Sequence, residues 1–255
     1  MKNIIVGITL FLGVNLLAQS EKESIRATYK AEFIFDYEQS KDMFPKNLQA
    51  AFKSAIDRGI FVDFILESNN VLSIFKADTK INNAQDESDM VVQEILDSEK
   101  NPLYKDFSKN EYYKQFDINV KTYLVKENIP DFNWQLTKEK AVINGYNVVK
   151  AIGEDKEGNT FIAWYSPEIK YKDGPYNFAN LPGLILQTEI ITPYFKTIFK
   201  INQLEILTKK LDITLPTKGK ILTFQEMQDD LNSIRKSSNE GVENSFQNKS
   251  VTHKR

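Results

Sequence analysis

Between Trp164 and Leu186 the chain reads WYSPEIKYKDGPYNFANLPGLIL, with three prolines and two glycines set between two apolar runs. Few stretches limit a backbone so tightly. Pro167 fixes its own φ and pushes Ser166 into an extended conformation. Asp173-Gly174-Pro175 is a turn signal. Leu181-Pro182-Gly183 is a second one, type II or similar, with proline at the second position and glycine at the third. Trp164 and Tyr165 end one strand and Leu184 starts the next. Each proline that fits its site lowers the entropy cost of holding one shape, by about 0.4–1 kcal/mol. Tyr171, Tyr176 and Phe178 supply aromatic surface to pack the segment down. Such a crossover either caps the open end of a sheet or presents a binding surface.

The surrounding chain is patterned for strands. Tyr29, Ala31, Phe33, Phe35 and Tyr37 alternate with Lys30, Glu32 and Asp36, which predicts a strand with one wet face. The runs 61–67 and 71–75 flank Ser68-Asn69-Asn70 and predict a hairpin. Further strands are predicted at 103–107, 112–125, 133–136, 184–191, 195–201 and 204–207, with Pro193 at a turn. Residues 145–152 and 160–165 predict a second hairpin, turning at Gly158-Asn159. Helices are expected over 41–58 and 223–234, with a helical turn over 90–96 after a polar, acidic loop.

Hairpins dominate and no βαβ rhythm appears. The expected fold is therefore mainly β to α+β, a curved antiparallel sheet forming a half-barrel with a few helices.

The first residues carry a secretory pattern. Met1-Lys2-Asn3 is a short positive start, Ile4 to Leu17 is an apolar run, and Ala18 supplies the small residue for cleavage. The expected organisation is a signal peptide over 1–18, one β-rich domain over 19–234 and a disordered polar tail over 235–255. The expected location is periplasmic or secreted.

Composition removes several chemistries. There is no cysteine, hence no disulfide, thiolate site or cysteine nucleophile. The one histidine is His253, in the polar tail, where nothing can hold it against a nucleophile or a metal. A net charge of -2 does not suit a nucleic-acid binder. No phosphate-binding glycine motif is present. No cofactor and no metal are expected. Carboxylates remain, and Glu168, Asp173 and Glu189 lie in or beside the crossover. A glycosidase would need two acids about 5–10 Å apart; the alternative reading makes all three solvated surface acids.

The motif residues also carry a resemblance. Ala163-Trp-Tyr-Ser-Pro-Glu-Ile169, Asp173-Gly-Pro-Tyr-Asn-Phe178 and Leu181-Pro-Gly-Leu-Ile-Leu186 resemble the GLPGLI family of exported Bacteroidetes proteins. Trp134-Gln-Leu-Thr137 and Ile143-Asn-Gly-Tyr146 are similar to that family's approach to the motif. The name-giving hexapeptide starts with Asn180 here instead of glycine, and asparagine also tolerates the left-handed region. Many members carry a cysteine near a place held here by Asn147 or Val148. The resemblance implies export and a shared β-rich fold, with no established activity. The strand order is also similar to that of periplasmic lipoprotein carriers.

Two functions follow as expectations. The first is a non-enzymatic envelope protein that binds a lipid or other apolar ligand, or an outer-membrane transport or envelope protein. Its pocket would be lined by Phe33, Phe35, Phe64, Phe161, Leu184 and Leu186. Its binding residues would be Trp164, Tyr165, Pro167, Glu168, Gly174, Pro175, Phe178, Leu181, Pro182, Gly183 and Leu184. The second is a carboxylate-dependent hydrolase.

Overall fold

The structure is a computed structural model that describes residues 24–78, 89–118, 120–155, 158–192 and 194–235. The expected leader, the acidic loop over 79–88, Pro193 and the tail beyond Arg235 lie outside these residues.

The described residues form one large, open, curved sheet of twelve strands. In chain order they are β1 (Ser24–Phe35), β2 (Ile60–Ser68), β3 (Leu72–Ala77), β4 (Leu103–Asp106), β5 (Glu111–Ile118) and β6 (Lys121–Asn128). Then follow β7 (Gln135–Ile143), β8 (Tyr146–Glu154), β9 (Thr160–Ser166), β10 (Leu184–Ile191), β11 (Phe195–Leu207) and β12 (Lys220–Leu222). The spatial order is β12-β6-β5-β4-β3-β2-β1-β11-β10-β9-β8-β7, so β1 and β11 join the two halves. All pairs are antiparallel except β12 on β6. The helices are α1 (Tyr37–Ser40), α2 (Gln49–Arg58), α3 (Asp89–Ser98) and α4 (224–235). The predicted class, mainly β with a curved, non-closed sheet, is the observed one.

The alternation in β1 builds the core. Ile25, Ala27, Tyr29 and Ala31 are buried. Across the ladder Tyr29 faces Phe64 and Ala31 faces Val62. Phe64 stacks on Phe75 with ring centroids 5.0 Å apart, and Phe199 meets both edge-on. Each such side chain contributes about 1.5–3 kcal/mol by leaving water.

Several boundaries differ from expectation. Tyr37 is not in the strand: Asp36 accepts from the backbone N–H of Gln39 and caps α1. The helix predicted over 41–58 starts only at Gln49, because Pro45 has no N–H to donate and leaves two short 3-10 turns before it. Residues 112–125 fold back as the hairpin β5–β6. The predicted strands 195–201 and 204–207 are one strand, β11, whose register on β1 slips between Thr28 and Tyr29. The strand predicted over 133–136 begins at Gln135 and runs on to Ile143. Helix α3 is ten residues long, not a single turn. Asn70 takes positive φ in the first hairpin's turn.

Candidate functional site

The crossover from Ser166 to Leu184 is pinned from both ends. Leu184 N donates to Ile169 O at 3.0 Å, and Ile185 N donates to Asp173 O at 2.9 Å. Tyr29, fully buried at the centre of β1, donates its hydroxyl to Ile185 O at 2.7 Å. Trp134 donates its indole N–H to Ala179 O at 3.1 Å. Asp173 and Ala179 face one another in an isolated bridge, which makes the tip between them a closed loop.

Lys105 holds that tip. Its ammonium, on β4, donates to Gly174 O at 2.7 Å, Tyr176 O at 2.8 Å and Phe178 O at 3.3 Å. It also lies 2.6 Å from Asp173 Oδ1, and both side chains are buried. Burial pushes the pKa of Lys105 down, and the Asp173 carboxylate opposes that push. Burial, then Asp173, raises the Tyr29 hydroxyl. Asp173 is therefore not a solvated surface acid: it is half of a buried ion pair.

A second lysine braces the tip from the side. Lys114 on β5 lies 2.6 Å from Glu99 Oε2, with its ammonium 5.1 Å from the centroid of the Tyr176 ring. Tyr176 itself sits at φ 51, a left-handed conformation that bulky residues rarely adopt. Strain of this kind persists where surrounding contacts enforce it.

The second turn is not type II. Gly183 lies outside the left-handed region. Its N–H donates to Leu181 O at 2.8 Å, which closes a three-residue γ-turn around Pro182, whose ring already fixes a suitable φ. Glycine is required for space instead: a Cβ there would lie 2.0 Å from Ser166 O. A Cβ at Gly174 would meet Ile185 at 2.8 Å.

Most of the expected binding residues turn inward. Tyr165, Gly174, Pro175, Phe178, Leu181, Gly183 and Leu184 are buried. Trp164 and Pro167 are half-buried, and Glu168 and Pro182 are exposed. The expected pocket lining is dispersed as well. Phe64, Leu184 and Leu186 pack in the main core, Phe161 belongs to a second cluster, and Phe33 and Phe35 lie against Phe52 and its neighbours on α2. Packed side chains stand where an apolar ligand was expected. An apolar groove of about 340 Å³ lies elsewhere, between Met43, Phe44 and Leu48 on one side and Met90 and Val91 on the other.

The candidate acids do not converge on one another through any contact. Glu168 accepts from Asn147 at 2.8 Å, Asp173 holds Lys105, and Glu189 lies 2.6 Å from Lys196. No group of three or more metal-ligating side chains occurs among the described residues.

The crossover's tip meets solvent at a cleft of about 830 Å³. Its floor is Phe132, Phe161 and Phe178, interlocked at centroid distances of 4.8 to 5.5 Å. Tyr176 and Asn177 form one wall, and Asn110 with residues 127–131 forms another. Of the expected binding residues only Phe178 lines it. Sequence reasoning missed Lys105, Lys114 and Asn177. A signal existed for Lys105: it shares the inward parity of Leu103 on a short strand.

Comparison with family models finds no match, and comparison with curated proteins finds none. Among solved structures, PNGF-II is similar in two crystal forms, with TM-scores of 0.52 and 0.50 and identities of 16% and 18%. Each alignment covers 81% of this chain and 32% of PNGF-II. The chain thus spans about a third of the length of PNGF-II, and a likeness at this identity shows the fold alone.

Proposed function

We propose that this chain is a non-enzymatic binding protein of the cell envelope, and that the cleft beside the crossover's tip is its binding site. One observation carries the reading. The Lys105 ammonium fixes three consecutive parts of the tip and so holds a strained Tyr176 on the rim of an open cleft. Preorganisation of this kind lowers the cost of binding a partner. The volume lies within the roughly 300–1,000 Å³ of small-ligand pockets. The secretory pattern and the GLPGLI resemblance supply the envelope setting, and the partner is an envelope component or a ligand displayed there. Hydrolysis has less behind it, since Glu168, Asp173 and Glu189 each serve a separate contact.

Site-specific photo-crosslinking in cells tests this. A benzophenone side chain at Asn177 should capture a defined species. The same group at Ile206, exposed on β11, should not. Equal capture at both positions, or none at Asn177, would overturn the reading.

A further inference from the structure

The chemistry of the cleft narrows its ligand. We infer that it takes a neutral, hydroxyl-rich ligand, a saccharide; this rests on the binding reading above. Its lining holds no lysine, arginine or histidine, so nothing there offers a charge to a phosphate or a carboxylate. Three asparagines line it whose amides make no hydrogen bond among the described residues: Asn110, Asn128 and Asn177. An amide both donates and accepts, as a hydroxyl does.

The carboxylates of the lining are already engaged. Glu127 accepts from the Tyr112 hydroxyl at 2.6 Å and from Phe224 N at 2.9 Å. Asp131 accepts from Asn133 N at 2.9 Å, and Asp155 accepts from Asn159 through both its backbone and its amide nitrogen. These bonds orient the carboxylates without filling their acceptor sites, so the lining joins acceptors for ligand hydroxyls to amides that both donate and accept. A cationic side chain would have only donors to offer, and would leave the acceptor-matching half of each amide unused. A lipid would find polar walls. A sugar ring presents hydroxyls at its edge and C–H groups on its faces, and the cleft offers amide walls over a phenylalanine floor.

The experiment is calorimetric titration of the purified chain with maltotetraose, cellotetraose, mannotetraose and chitotetraose. At least one should bind, and Asn110→Gly/Asn128→Ala should weaken it roughly tenfold or more, for two hydrogen bonds lost. Both asparagines are exposed, and glycine reaches the left-handed φ of 57 at position 110 freely, so the variant should melt with the wild type. Absence of binding across the panel would overturn the inference, and so would wild-type affinity in a folded double variant. Binding of a lysine- and arginine-rich peptide at the cleft, with no saccharide bound, would also overturn the saccharide class. It would leave the binding reading standing, because capture at Asn177 in cells is an independent result.

Discussion

The Lys105 ammonium and the Asp173 carboxylate meet at 2.6 Å where the crossover passes over β4, and neither side chain reaches solvent. A charge pair in such a place is not itself a large source of stability, because both ions give up their hydration. Its consequence lies in what breaking it does. Lys105→Met leaves Asp173 buried without its cation and removes the donor from three loop carbonyls. The expected cost is about 3–5 kcal/mol. Thermal unfolding should shift down by roughly 6–20 °C for a domain of this size. Adding Asp173→Leu to Lys105→Met should recover part of that loss, since no buried charge is then left alone. A single variant that melts with the wild type would show that the ammonium does not hold the tip.

Gly183 separates two explanations for one chemical need, the absence of a side chain. If positive φ were the reason, asparagine would serve nearly as well as glycine. The contact with Ser166 O says otherwise, because any Cβ meets backbone there. Gly183→Asn and Gly183→Ala should therefore destabilise alike, by about 3 kcal/mol in chemical denaturation. Tolerance of asparagine alone would restore the type II turn.

How far the residues declare the fold depends on the range of the interaction that decides each element. Period-two patterns are local, and they place β1, the β2–β3 hairpin and the β8–β9 hairpin. The crossover's stiffness is local too, written in Pro167, Pro175 and Pro182. Residues 112–125 misled because Ile118 and Lys121 pair across a turn whose sequence has no glycine or proline to announce it. The site was less legible still. Lys105 is a lysine in a strand, and only the arrival of Gly174, Tyr176 and Phe178 carbonyls explains its burial. Asn110 comes from the β4–β5 turn, Asn128 from the end of β6 and Asn177 from the crossover, and no spacing in the chain links them.

Asn180 opens the hexapeptide that runs to Ile185, and it sits at φ 68 with its N–H donating to Lys172 O at 3.1 Å. Glycine reaches that conformation freely, and a β-branched residue does not. Asn180→Gly should leave stability within about 0.5 kcal/mol, as expected for an exposed site with a permissive backbone. Asn180→Val should cost about 1–2 kcal/mol. Equilibrium unfolding of the two variants checks this; equal stability would mean that the left-handed conformation is not required.

Helix α4 docks on β6 through an acid, and that docking should follow pH. The Tyr123 hydroxyl donates to Asp230 Oδ2 at 2.7 Å, Lys220 reaches Oδ1 at 3.0 Å, and Lys121 reaches Oδ2 at 3.4 Å. The hydroxyl first, and then Lys220, hold the carboxyl down at about 2. An unfolded aspartate titrates near about 3.9. Between those values the unfolded chain binds more protons at this residue, so lowering the pH favours the undocked state. The contribution is complete above about pH 4 and is lost as the pH falls through the folded value near 2. Hydrogen-exchange protection of the α4 amides should therefore be constant from pH 6 down to about pH 4 and fall below it. Asp230→Asn should lower protection at pH 6 and flatten its dependence on pH. A wild-type helix as well protected near pH 2 as at pH 6 would show that Asp230 does not hold it.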